Sequence, residues 1–189
     1  MKQLLFVLVA ITLFSCKDDS KVEEAVAKIP IEFKVERFDQ IFYQSKPEDL
    51  NKIKAQYPFF FPAGNPDSIW VNKLQNPLLK ELYKEVQMKY PTLGPVEADM
   101  EKMFAYVQYY FPKYKTPRVI TLISEVDTEA KAFYVDTLAL VSLDCYLGKD
   151  HRFYVDFPEY KKAELEENQI LPNLVSTFCY GKIAPPMDR

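Results

Sequence analysis

Residues 118–143 read RVITLISEVDTEAKAFYVDTLALVSL, and they are the strongest indication of the fold class. Its first seven residues are a run of β-branched and apolar side chains that is typical of a buried strand. Residues 132–136 and 138–143 have the same character and are separated by short polar breaks. We therefore expect a small, mainly antiparallel sheet in this part of the protein.

Amphipathic helices are predicted on both sides of the sheet. Apolar side chains recur at helical spacing from about Asn76 to Tyr90 and from about Val96 to Phe111, and prolines flank the first of these segments. Residues 47–57 and two segments after the sheet, 158–167 and 168–180, also predict helices. Together these elements predict an α+β fold in which a helical N-terminal half packs on a small sheet.

Two shorter elements are predicted near the start of the folded domain. Ile31, Phe33 and Val35 alternate with charged residues, which indicates a half-buried strand. Asp39 is a candidate cap for a short helix over residues 40–44.

Composition limits the class of protein. The chain has 189 residues, with 27 acidic side chains, 24 Lys or Arg side chains and a formal net charge of −3, so no nucleic-acid partner is expected. Fourteen prolines against 4 glycines indicate that proline sets many chain reversals. Residues 57–70 are rich in proline and aromatic side chains. This stretch is either an aromatic-lined binding loop or a loop whose rings pack on the core, and we favour the second.

The first fifteen residues predict a targeting signal. Lys2 precedes an apolar run over residues 4–14, and the run ends at Ser15, just before Cys16. A helix needs roughly 20 apolar residues to cross a bilayer, so this run is too short to be a membrane span. We interpret residues 1–15 as a signal peptide that is absent from the mature protein.

The end of this signal, Leu-Phe-Ser-Cys at residues 13–16, resembles the lipobox of bacterial lipoproteins. The resemblance implies that Cys16 is lipidated and that acyl chains such as palmitate hold the protein on a membrane; a plain secretory signal is the alternative. Residues 17–19 resemble the lipoprotein export signal of Bacteroidota, which implies the outer membrane; a charged tether that only keeps the protein soluble is the alternative. Because residues 16–30 are charged and poor in large apolar groups, they predict a lipidated tether.

Two cysteines remain after lipidation, Cys145 and Cys179. In an oxidising compartment they can form a disulfide, which in the chain-entropy model stabilises the fold by roughly 3 to 4 kcal/mol. The alternative is two separate buried thiols, and we favour it because a disulfide framework normally has more cysteines.

The most reactive group of side chains follows the last predicted strand. Asp144, Cys145, Asp150 and His151 lie within eight residues and can in principle bind a metal or form a Cys–His pair. However, the chain has one histidine and no His-Glu-x-x-His motif. We therefore favour a turn with solvated carboxylates and a surface histidine, and we predict no cofactor and no catalytic residue.

Several segments resemble a known family, the gliding motility-associated lipoproteins of the GldB family. They are the lipobox at Cys16, the opening at residues 31–42, the Ser-Leu-Asp-Cys-Tyr-Leu-Gly segment at residues 142–148, and the end of the chain. The third segment is the most specific, and it includes family-motif residues whose role is unknown: Asp144, Tyr146, Leu147 and Gly148.

The resemblance implies a lipid-anchored envelope protein that supports gliding motility and the associated secretion machinery, with subunits of that machinery as partners. The family is distantly similar to zincin-type peptidases, but the peptidase signature is missing here, so a non-catalytic role is expected. A degenerate zinc-peptidase-like hydrolase and a ligand-binding lipoprotein are the alternatives. Because family members continue beyond Arg189, we expect residues 31–189 to form a single domain that is incomplete at its C-terminus.

Overall fold

The computed structural model describes residues 17–135, 137–180 and 182. These residues form eight α-helices and four strands. The helices are α1 (Lys17–Val26), α2 (Phe38–Tyr43), α3 (Leu50–Gln56), α4 (Asp67–Gln75), α5 (Pro77–Lys89), α6 (Gly94–Tyr110), α7 (Glu159–Lys162) and α8 (Ile170–Tyr180). The strands are β1 (Val35–Arg37), β2 (Arg118–Leu122), β3 (Ala132–Val135) and β4 (Leu138–Ser142). The predicted α+β class is confirmed.

The described strands form one mixed sheet in the order β1-β2-β4-β3. β1 pairs with β2 and β2 with β4 in parallel, whereas β3 and β4 are antiparallel. The expectation of a mainly antiparallel sheet is therefore wrong. The connections between the strands explain the parallel pairing. Helices α2 to α6 lie between β1 and β2 in the chain. Residues 123–131 lead from β2 to β3 and leave a gap between these two strands, which β4 then fills. Long connections of this kind permit parallel pairing.

The sheet separates two apolar clusters. On one face, Val119, Ala139 and Val141 pack with side chains of α5, α6 and α8. On the other face, Ile120 packs with side chains of α2, α3 and α4, including Phe42. Because strand residues alternate between faces, consecutive residues of β2 enter different clusters.

The two long predicted helices are confirmed as α5 and α6. The Asn76 side chain caps α5 and accepts a hydrogen bond from the Leu78 N–H group at 2.9 Å. In α6 the predicted apolar stripe faces the core, where its buried members include Val96, Met100, Met103 and Phe104. After the sheet, the predicted helix over 158–167 shrinks to α7, and α8 lies within the second predicted segment.

The predicted tether over residues 16–30 contains a helix, α1, that packs on the folded domain. The sequence analysis did not predict this helix. Val26, in the last turn of α1, is buried, and Val22 and Ile29 are partly buried. These residues recur at helical spacing and form a short apolar face against α6. Cys16, the signal segment and residues 183–189 lie outside the described residues. Within the described part of the chain, no helix is both long and apolar enough to cross a bilayer.

The aromatic loop packs on the core, as the favoured interpretation predicted. Tyr57 and Phe61 are buried, and the Trp70 ring contacts the Phe61 ring with 4.7 Å between centroids. The Tyr57 hydroxyl donates to Glu36 at 2.9 Å, and burial together with this contact raises the pKa of Tyr57 to about 12. Phe59 is the exception, with 45% of its surface exposed.

Candidate functional site

The motif segment, residues 142–148, begins at the last residue of β4 and turns through a short 3₁₀ helix at Leu143–Cys145. Residues 142–147 are all buried. The expected turn with solvated carboxylates is therefore wrong for Asp144, which is 0% exposed. The sequence did not show this burial because the neighbours of Asp144 come from the distant loop after β2.

The Asp144 carboxylate binds the backbone of that loop. One oxygen accepts from the Ser124 N–H group at 3.0 Å, and the other accepts from the Val126 N–H group at 2.6 Å. Glu125, which lies between these two contacts, has a φ value of 66°. Val126, which makes the second contact, has a φ value of 59°. This left-handed conformation is strained for a β-branched residue such as Val126. Asp144 thus holds a strained loop in place.

Burial also changes the protonation of Asp144. It raises the pKa of this carboxyl to about 6, although the backbone N–H groups of Ser124 and Val126 favour the charged form. A perturbed carboxyl is a feature of active sites, but here both oxygens are occupied by loop contacts and have no exposed surface. We therefore infer that Asp144 stabilises the loop and does not act on a substrate.

Cys145 is a buried, neutral thiol. Its Sγ lies 3.4 Å from the carbonyl oxygen of Asp127 and 3.6 Å from Oγ of Ser124. Burial is the main reason why the pKa of this thiol lies far above its usual range. The thiol therefore stays neutral, and a neutral thiol is a poor nucleophile. Cys145 and Cys179 are both free thiols in the structure.

His151 is held by α5 rather than by Cys145. Its Nε2 lies 3.4 Å from a carboxylate oxygen of Glu85, and its Nδ1 accepts from the Phe153 N–H group at 3.4 Å. Arg152 donates to the same glutamate at 2.7 Å and lowers the pKa of Glu85. The segment after the motif is therefore tied to α5 by charge. Among the described residues, no three His, Cys, Asp or Glu side chains lie together as a metal site.

The other motif residues are joined by buried hydrogen bonds. The Tyr146 carbonyl accepts from the Tyr90 hydroxyl at 2.6 Å. The Tyr154 hydroxyl accepts from the Leu147 N–H group at 3.0 Å and donates to the Asp144 carbonyl at 2.5 Å. The Tyr154 hydroxyl thus connects two backbone groups across the turn. The motif segment therefore links the sheet to the end of α5 and to the residues that follow the motif.

Gly148 ends the motif in a left-handed conformation, with φ of 109°, which glycine adopts readily. Its N–H group donates to the Leu165 carbonyl at 3.0 Å, and the Lys149 N–H group donates to Glu166 at 3.0 Å. The turn therefore directs the chain toward the segment before α8.

Sequence reasoning missed a second buried polar cluster, at the start of α2. Asp39 is 0% exposed and does not cap this helix. Its carboxylate accepts from the Arg37 guanidinium at 2.7 Å, from Gln87 at 3.0 Å and from the Thr121 hydroxyl at 2.5 Å. Arg37 also donates to the Tyr90 carbonyl at 3.1 Å. The Arg-x-Asp spacing was the one local signal for this pair.

A comparison with known protein families agrees with the resemblance that the motif segment suggested. The model of one protein family, described as gliding motility protein GldB, matches residues 19–189. The chain belongs to this family. The match runs from α1 through the motif segment to the end of the chain, so the predicted family is confirmed and the GldB description applies to the whole described body. No curated protein and no solved structure matches the chain, and the predicted distant similarity to zincin-type peptidases stays a prediction.

Proposed function

We propose that this GldB family member is an envelope protein that a lipid on Cys16 anchors to the outer membrane, as the export-signal resemblance of residues 17–19 implies. We also propose that it serves gliding motility and the associated secretion machinery. Its role there is structural or interactive, without catalysis, and its partners are subunits of that machinery. The family match over residues 19–189 carries this proposal, because the family is described by its part in gliding motility.

The packing of the motif segment supports a non-catalytic role. Its most reactive side chains, Asp144 and Cys145, are buried and occupied by contacts with the loop over residues 124–127. A catalytic acid or nucleophile must reach a substrate, and a buried group that is fully used by backbone contacts does not. We infer that the motif stabilises the fold of this chain.

The anchor is tested with Cys16→Ala in the full chain, and Cys179→Ala is the matched control because it removes a thiol outside the lipobox. We expect loss of palmitate labelling, loss from the outer-membrane fraction and loss of gliding with Cys16→Ala alone. In the same membranes, crosslinked purification of the parent should recover motility or secretion subunits. Normal gliding of the Cys16→Ala variant, or no specific subunit with the parent, would contradict the proposal.

The non-catalytic role is tested with Cys145→Ala and His151→Asn. Asn at position 151 retains an acceptor for the Phe153 N–H group. We expect gliding and secretion within about twofold of the parent when protein amounts are matched. A complete loss of both activities with a normal amount of folded protein would instead favour the hydrolase alternative.

A further inference from the structure

The two edges of the sheet differ in how their backbone groups are used. At the β3 edge, the Tyr134 N–H group donates to the Thr177 hydroxyl of α8 at 2.9 Å, so α8 covers this edge. At the other edge, β1 pairs with β2 alone within the described residues. An uncovered edge offers its N–H and C=O groups to a further strand.

The uncovered edge is longer than β1 itself. Residues 31–34 precede β1 and continue its alternation, because Ile31 and Phe33 are half-buried whereas Glu32 and Lys34 are exposed. The Phe33 ring packs on Phe104 of α6, with 5.2 Å between centroids, which fixes the face that this segment presents. The pairing of Val35 with Val119 uses the Lys34 carbonyl on the β2 side, so the backbone groups of Phe33 face away from β2. Among the described residues, no backbone hydrogen bond is present for Ile31 or Phe33.

Space for an added strand is present beside this segment. A groove of about 650 Å³ lies between residues 31–35 and the first half of α6, where it is lined by Glu97 and Glu101. Glu32 and Lys34 also line the groove, and neither forms an ion pair within the described part of the chain. The edge therefore has room, unused backbone groups at residues 31 and 33, and two charged side chains that form no ion pair.

The order of these charges is self-complementary. In an antiparallel pair of two copies centred on Phe33, Glu32 of each copy lies opposite Lys34 of the other, and Ile31 lies opposite Val35. Both ion pairs then fall on one face and all apolar contacts on the other, as strand alternation requires. Charged residues at an edge usually oppose pairing with other chains, but in this register they select a second copy.

We propose that residues 31–35 form an antiparallel, two-fold symmetric contact with a second copy of this chain, which joins two sheets through their β1 edges. This contact is the isologous type that two-fold dimers use. Five residues from each copy make a small interface, so the dimer is weak and is favoured by high local concentration.

Charge exchange tests the register with two differently tagged copies of the full chain, co-purified from native membranes in mild detergent. When both copies carry Glu32→Lys, or both carry Lys34→Glu, two like-charged pairs replace two ion pairs, and we expect recovery to fall by about tenfold. The double variant E32K/K34E restores the ion pairs and should recover to within about twofold of the parent. A copy with E32K and a copy with K34E should also pair with each other.

Cysteine crosslinking checks the same geometry. One copy carries Glu32→Cys and the other Lys34→Cys, and the parent chain controls for its native cysteines. Opposite positions lie about 5 Å apart and diagonal positions about 7 to 8 Å, so 32–34 products should exceed 32–32 and 34–34 products several-fold. Membrane fractionation of the same samples reports anchoring separately.

Three results would overturn the proposal: unchanged recovery with the single charge variants, no rescue by either exchanged combination, or crosslinks at residues 32 and 34 to a different protein only. Both side chains are exposed, so these variants are expected to fold. Equal thermal unfolding of the singles and the double variant confirms that a loss of recovery is a loss of contact.

Discussion

The buried ion pair at the start of α2 supports the most demanding prediction. Asp39→Asn preserves the shape of the side chain but removes its charge and replaces one acceptor oxygen with a donor. In the parent each carboxylate oxygen accepts at least two hydrogen bonds, from Arg37, Gln87 and Thr121. The Asn amide has one acceptor oxygen, so it can accept only the hydrogen bonds that one of the two carboxylate oxygens accepts in the parent. The Arg37 guanidinium, 15% exposed, is left without its counter-charge.

The magnitude follows from breaking a buried pair, which costs about 3 to 5 kcal/mol when one partner is removed. That loss is large for a domain whose unfolding free energy is of the order of 5 to 15 kcal/mol. Urea unfolding of the full chain in mild detergent, followed by circular dichroism, measures it. Arg152→Gln, which removes an exposed cation, is the control and should cost much less.

A double-mutant cycle separates this interaction from general loss of packing. Arg37→Gln together with Asp39→Asn should be less destabilising than the sum of the single variants, by about 2 kcal/mol or more. A loss below about 1 kcal/mol for Asp39→Asn, or an additive cycle, would show that these groups do not act as a buried unit.

Three further predictions concern the motif. Since burial raises the pKa of Asp144 from 3.8 to about 6, the folded state retains a proton that the unfolded chain releases; stability should fall by about 2 kcal/mol as the pH rises from 4 to 6, and Asp144→Asn should flatten this slope. Tyr154→Phe leaves the buried Leu147 N–H group without an acceptor and should cost about 1 to 3 kcal/mol in urea unfolding, whereas Tyr160→Phe, at an exposed ring, should cost almost nothing. Gly148→Ala strains a left-handed residue and should lower stability by about 1 kcal/mol or more in thermal unfolding, and Gly94→Ala, with open space around it, is its control.

Local patterns predicted much of this fold. The periodicity of apolar residues identified α5 and α6 as well as the strands β2, β3 and β4, because a residue's face in such elements depends on neighbours within a few positions. The proline-rich loop was also interpreted correctly, since its large rings had to leave water.

The missed features depend on contacts between distant parts of the chain. Asp39 and Thr121 are 82 positions apart, and Asp144 reaches a loop about 20 residues before it. A carboxylate near a turn or a helix start has the same sequence signature whether it is solvated or buried. The strand order was hidden for the same reason, because pairing of β1 with β2 depends on the path of the five helices between them.

The helix α1 would limit how far the folded domain can move from the proposed lipid anchor at Cys16. An unfolded leader over residues 17–30 would have a reach of roughly 50 Å when extended. The ten-residue helix instead spans about 15 Å, and its last turn is fixed to α6. With a lipid on Cys16, the domain would lie against the bilayer in a restricted range of orientations, and its partners would have to meet it close to the lipid headgroups.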